Sequence, residues 1–163
     1  MLKLVPATVE DTDFILELHN DSNIGKNFIS RKELITREQH LRFMEKLTRK
    51  GDLYFIIYED TNRIGTISLY DIDKVNRCAE WGRFVIKRNY PGRGAEALQL
   101  LIDKAFKELR LHKLYCTVLS YNTKIIELYK KCEFKIEGIL TERVFKDNTY
   151  YDLIIMGLIN NVL

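Results

Sequence analysis

The segment from Glu80 to Leu109 constrains this chain most. Ala79 to Lys87 reads as a strand, and Pro91-Gly92-Arg93-Gly94 reads as a turn. After it, Ala97, Leu98, Leu101, Ile102, Ala105, Phe106 and Leu109 recur at the three- and four-residue steps of an amphipathic helix. The first amides of a helix have no intrahelical partner and carry the positive end of its dipole. The amides of Gly92, Arg93, Gly94 and Ala95, with the Arg93 charge beside them, are therefore a candidate pyrophosphate cradle. A plain strand-to-helix turn is the competing reading, because Gly-x-Gly recurs by chance. No Gly-Lys-Ser/Thr follows, so this is not a P-loop. The six-residue dinucleotide fingerprint is also absent.

The rest of the chain fits around that unit. Leu2–Pro6 reads as a strand, Thr8 as the cap of a helix carrying Phe14, Ile15 and Leu18, and Asp21–Ser30 as irregular. A second helix spans Thr36–Arg49. Leu53–Tyr58 and Ile64–Tyr70 are strands around a turn at Asp60-Thr61-Asn62. Leu114–Leu119 is a strand, Asn122 or Thr123 caps a further helix, and Phe134–Leu140 and Tyr150–Leu158 close the chain as a hairpin. The order β-α-α-β-β-β-α-β-α-β-β implies an α/β fold with a mixed sheet and helices on its faces. No linker or repeat interrupts it, so residues 1–163 are expected to form one domain.

Charge and cysteine content narrow the function classes. A net charge of +3, scattered among acidic residues, argues against a nucleic-acid partner. No apolar run reaches the roughly 18 residues that a membrane span needs. The expected location is the cytoplasm. Cys78, Cys116 and Cys132 are odd in number and lack C-x-x-C spacing, so neither a disulfide framework nor a metal site is expected. His19, His40 and His112 have no metal or triad spacing and read as structural.

A second feature lies downstream. Asn122 and Tyr129 are seven residues apart, close to two helical turns, and so share one side of a helix. A cap and a half-buried core tyrosine would give the same pattern. Together with the glycine turn, however, they make the chain resemble the GNAT superfamily of acyl-CoA N-acyltransferases. Asn89-Tyr90-Pro91-Gly92-Arg93-Gly94 is similar to the family's Gln/Arg-x-x-Gly-x-Gly/Ala motif, with Asn89 replacing the usual first residue. Asn122 to Phe134 is similar to its Asn-helix-Tyr-Gly-Phe motif, with Glu133 where glycine is usual. The likeness is to the branch of ribosomal-protein N-terminal and spermidine acetyltransferases.

That resemblance implies the GNAT fold and acetyl-CoA as cosubstrate. Phe84, Val85 and Ile86 would offer backbone groups to the pantetheine arm. Asn89, Gly92, Arg93, Gly94, Ala95 and Asn122 would complete the cofactor contacts. Tyr129 would protonate the leaving thiolate, and Glu80 would take the amine proton or anchor a water that does. The acceptor would be a peptide N-terminus or a small amine such as a polyamine, or else a nucleotide-linked amino sugar. A non-catalytic acyl-CoA sensor is the reading of another class. Glu10, Asp11, Asp13, Glu17 and Asp21 suit a polyamine; Arg31, Lys32, Arg37 and Arg42 suit a phosphorylated sugar. Relatives often dimerise, and the apolar Tyr150–Leu158 strand suits either an interface or the interior.

Overall fold

The computed structural model describes residues 1–25, 28–29 and 33–161. Strand β1 (Leu2–Pro6) leads to Thr8, whose side chain and that of Asp11 form a reciprocal capping box. Helix α1 (Thr12–Asn20) follows, then a short helix α2 (Ser22–Gly25) in a stretch expected to be irregular. Asp21 explains that turn: its Oδ1 accepts from the Asn23 amide at 2.8 Å and its carbonyl from the Ile24 amide. Helix α3 (Arg37–Lys50) is capped by Thr36 with Gln39 and stopped by Gly51 in the left-handed conformation.

Three antiparallel strands come next: β2 (Leu53–Glu59), β3 (Asn62–Asp73) and β4 (Cys78–Ile86). Helix α4 (Arg93–Asp103) continues as a π-helical turn over Lys104–Glu108. Strand β5 (Lys113–Leu119), helix α5 (Thr123–Lys131) and the hairpin of β6 (Lys135–Lys146) and β7 (Thr149–Ile159) complete the fold. β6 runs six residues beyond the expected Leu140. The hairpin turns at Asp147 and Asn148, both at positive φ, as a two-residue turn requires.

The sheet order is β1-β2-β3-β4-β5-β7-β6, with β4 and β5 the parallel pair. Helices cover both faces. Ala97, Leu98 and Leu101 of α4 and Ile126 of α5 pack against Phe55, Ile57, Ile67 and Leu69. Phe14, Ile15 and Leu18 of α1 and Met44 and Leu47 of α3 pack against Tyr54, Ile56 and Val85 on the other face. β2 is thus apolar without alternation because both of its faces are buried. Burial of each such leucine contributes roughly 1.5–3 kcal/mol. Among the described residues, no helix is long and apolar enough to cross a membrane.

Candidate active site

β4 and β5 pair at Cys78–Lys113, Ala79–Leu114 and Glu80–Tyr115 and then part. Beyond Glu80, the edge of β4 from Trp81 to Ile86 has no strand beside it on that side. A cleft of about 340 Å³ opens there. Trp81 to Phe84 form one wall, Cys116 to Leu119 the other, and Asn122 and Tyr129 close it from α5. An unpaired strand edge is a ready main-chain docking surface for an extended, amide-bearing ligand.

A bulge shapes the β4 wall. Trp81 faces α4, and an unbroken strand would put Val85, four residues on, on the same face. Instead Phe84 and Ile86 face α4 and Val85 faces α1 and α3. The extra residue is Arg83, held at φ 49. The ladder breaks here, and side chains replace it: Thr66 Oγ1 donates to the Arg83 carbonyl at 2.9 Å, and Ser68 Oγ to the Gly82 carbonyl at 3.2 Å. Thr66 and Ser68 are both fully buried. The single hydroxyl hydrogen of Thr66 points to that carbonyl, which leaves its oxygen to accept from His19 Nε2, 3.0 Å away. Tyr54 Oη sits 3.1 Å from the same nitrogen, and burial pushes its phenol up to about 12.

Tyr129 lines the cleft with its ring 4.8 Å from that of Trp81. Burial, reinforced by Cys116 and Tyr70, holds its phenol well above the ordinary value, so it carries its proton at neutral pH. Asn122 occupies the N-cap position of α5, yet its side chain makes no capping bond. The N-cap falls where expected, without a side-chain bond, and Asn122 borders the cleft. Glu80 stands at the root of the cleft, where the two strands still pair, and does not line it. Tyr70 Oη donates to its carboxylate at 3.2 Å. Burial raises the Glu80 carboxyl above its ordinary value. Gly82 makes this contact possible, because a Cβ there would lie 2.7 Å from Tyr70 Oη.

The glycine turn lies at the open end. Gly92 takes φ 81 as the N-cap of α4, and Gly94 packs where a Cβ would come 3.1 Å from Leu128 Cδ2. Arg93 is committed to Glu59 and Glu96, so the positive charge expected to aid the cradle is offset by two carboxylates. That leaves the backbone amides as the main element of the expected cradle. Asn89 is exposed and shares a pocket with Glu17, Asp21, Lys87 and Arg88.

A second pocket of about 340 Å³ lies on the α1–α3 side of the sheet. Ile15 and His19 come from α1, Gln39, His40 and Phe43 from α3, Tyr54 from β2 and Arg83 from the bulge. Arg83 and Phe28 also line the cleft, so the two spaces adjoin. His19 and His40, read as structural, both line this pocket; His19, near the region expected to shape the acceptor site, also bonds within the core. His19 signals its place weakly, four residues after Ile15 on one helical face; Arg83 gives no sign in the sequence. Among the described residues, none of the charged residues that suit one acceptor or the other lines this pocket. Asp11 pairs with Arg63, Asp13 with Arg37 and Glu38 with Arg42, all outside this pocket. Arg31 and Lys32 lie outside the described residues.

Comparison with known proteins identifies the family. Residues 1–135 match the acetyltransferase (GNAT) domain family. The chain is 28% identical to spermidine N(1)-acetyltransferase of Escherichia coli K12 over 95% of its length and 84% of that protein. It is 30% identical to the N-acetyltransferase p20 of Bacillus licheniformis, over 86% and 83% of the two chains. Spermidine N-acetyltransferase from Vibrio cholerae, solved in complex with CoA and spermine, superposes with a TM-score of 0.89 at 27% identity, covering 97% of this chain and 95% of that one. The chain belongs to the GNAT acetyltransferases and is an acetyl-CoA-dependent N-acetyltransferase.

Proposed function

We propose that this GNAT acetyltransferase moves the acetyl group of acetyl-CoA directly onto a primary amine held in the pocket between α1, α3 and the Arg83 bulge. The observation that carries this reading is the parting of β4 from β5 with a protonated tyrosine on the gap. In it, the unpaired edge at Phe84, Val85 and Ile86 takes the pantetheine arm. The amides of Gly92, Arg93, Gly94 and Ala95 take the pyrophosphate, with Asn89 at the edge of the turn and Asn122 beside the thioester.

A lysine-like amine is mostly protonated at neutral pH, its pKa being about 10.4. Glu80 receives the amine proton through Tyr70 or water, since its carboxylate does not reach the cleft itself. The neutral nitrogen then attacks the thioester carbonyl carbon. The C–N bond forms, the C–S bond breaks, and Tyr129 protonates the departing sulfur. A backbone amide at Phe84 or Val85 is placed to receive the developing negative oxygen.

The test is thiol release from acetyl-CoA with a panel of peptide N-termini, polyamines and amino sugars. Turnover of at least one amine is expected. Acetyl-CoA binding without thiol release from any of them would turn the reading into that of an acyl-CoA sensor. Polyamines belong in the panel because the similar enzymes from Escherichia coli and Vibrio cholerae are spermidine acetyltransferases.

A further inference from the structure

We infer that the acceptor is an amine that also carries an anionic group, a carboxylate or a phosphate, and that Arg83 is the residue that receives it. This deepens the acetyl-transfer reading and rests on it.

Arg83 is half-buried and charged, yet among the described residues it forms no ion pair. Its guanidinium is clamped between the rings of Tyr70 and Phe43, at 4.3 and 4.7 Å from their centroids. One nitrogen donates to Ser68 Oγ at 3.2 Å. Glu80 feels its charge at longer range and is itself bound by Tyr70. A guanidinium has five N–H donors, so this placement fixes its plane and leaves most donors for something else. A half-buried guanidinium has lost part of its water, and an anion placed on its free donors restores that interaction.

The surroundings agree. No carboxylate lines the acceptor pocket among the described residues. The adjoining recess behind Arg83 holds Lys46, Lys50 and one carboxylate, Asp52, which accepts from the Asp71 amide; Lys50 itself is paired with Asp71. His40, 3% exposed on the pocket wall, has an Nε2 with no hydrogen-bond partner. Such orphans are rare in native proteins and call for a ligand or a role. A polycation would meet Arg83 with no acid to balance it. An amine with a carboxylate or phosphate would place its anion on the fork and its nitrogen toward the cleft that Arg83 also borders.

The experiment uses matched acceptors. A dipeptide is compared with its C-terminal amide, a nucleotide-linked amino sugar with the same amino sugar lacking phosphate, and both pairs with spermidine. In one pair, the anionic member should have a kcat/KM about 10- to 100-fold higher, the range of a hydrogen bond to a charged group. Which pair shows the preference separates carboxylate from phosphate. R83Q should abolish it with the KM for acetyl-CoA unchanged, and R83K should keep part of it. Spermidine as the fastest acceptor, no preference in either pair, or a preference that survives R83Q would each overturn the inference. Calorimetry of the same pairs keeps it separate from the acetyl-transfer reading. Tighter binding of the anionic member without thiol release would support the pocket and sink the transfer.

Discussion

The two halves of the site are built in different ways. The half between β4, α4 and α5 is mostly main chain: an unpaired strand edge and the first turn of a helix, with Tyr129 and Asn122 as its chief side chains. The half on the α1–α3 side is mostly side chain, drawn from four elements and centred on Arg83. A main-chain site recognises what every acyl-CoA has in common, its amides and phosphates. A side-chain site recognises what differs between acceptors. The bulge at Arg83 is the hinge between them, because one inserted residue turns Val85 toward α1 and α3 and Phe84 toward the cleft side.

The largest expected effect falls on the first half. Tyr129→Phe should lower kcat about 100-fold, the lower end of general-acid contributions, while the KM for acetyl-CoA holds. Unchanged turnover in steady-state assays would remove the proton donor from this half and weaken the contrast. The hinge comes next. Thr66→Val leaves the buried Arg83 carbonyl without its donor, at a cost of about 1–3 kcal/mol, or about 3 °C in Tm per kcal/mol. Its kcat should fall with the KM for acetyl-CoA little changed. A thermal melt identical to the parent's would show that the bulge stands without its hydroxyl.

A smaller effect sharpens what the bulge means. Glu133 also sits at positive φ, at 69, but is exposed after α5, outside both halves. Glu133→Gly should stabilise the protein by about 1 kcal/mol in denaturant melts with activity unchanged. A loss of activity would tie this second strained residue to the site as well.

The smallest effect is a pH dependence on the acceptor side. Burial, then the Arg37 charge, lowers the His40 pKa. The neutral form therefore favours the fold. That stability is present above the ordinary histidine value of about 6.5 and is lost as pH falls through the depressed one. His40→Gln should flatten the fall in Tm over that window; an equally steep fall would assign it to other groups.

Much of the first half was legible in the sequence. The glycine turn, the helical period after it and the Asn122–Tyr129 spacing are all local patterns, and a main-chain site needs little else. One local pattern misses its physical outcome: Arg93 stands as a charge in the sequence, yet it pairs with Glu59, distant in the chain, and with Glu96. Asn122 takes the expected N-cap position without a side-chain bond and lines the cleft. Of the charges near the N-terminus, Asp13 pairs with Arg37, Asp11 with Arg63 and Arg42 with Glu38.

By itself, then, the sequence determined the order of the main elements and the expectation of a cofactor half, since periodicity and turn chemistry act over a few residues. Only the tertiary structure decided the acceptor half. His19, His40, Tyr54 and Arg83 are up to 64 residues apart; packing of α1 and α3 on β2 gathers the first three, and the one-residue bulge in β4 brings Arg83 to them. A strand reads as alternating from its sequence, and nothing in the run from Trp81 to Ile86 marks where that alternation breaks.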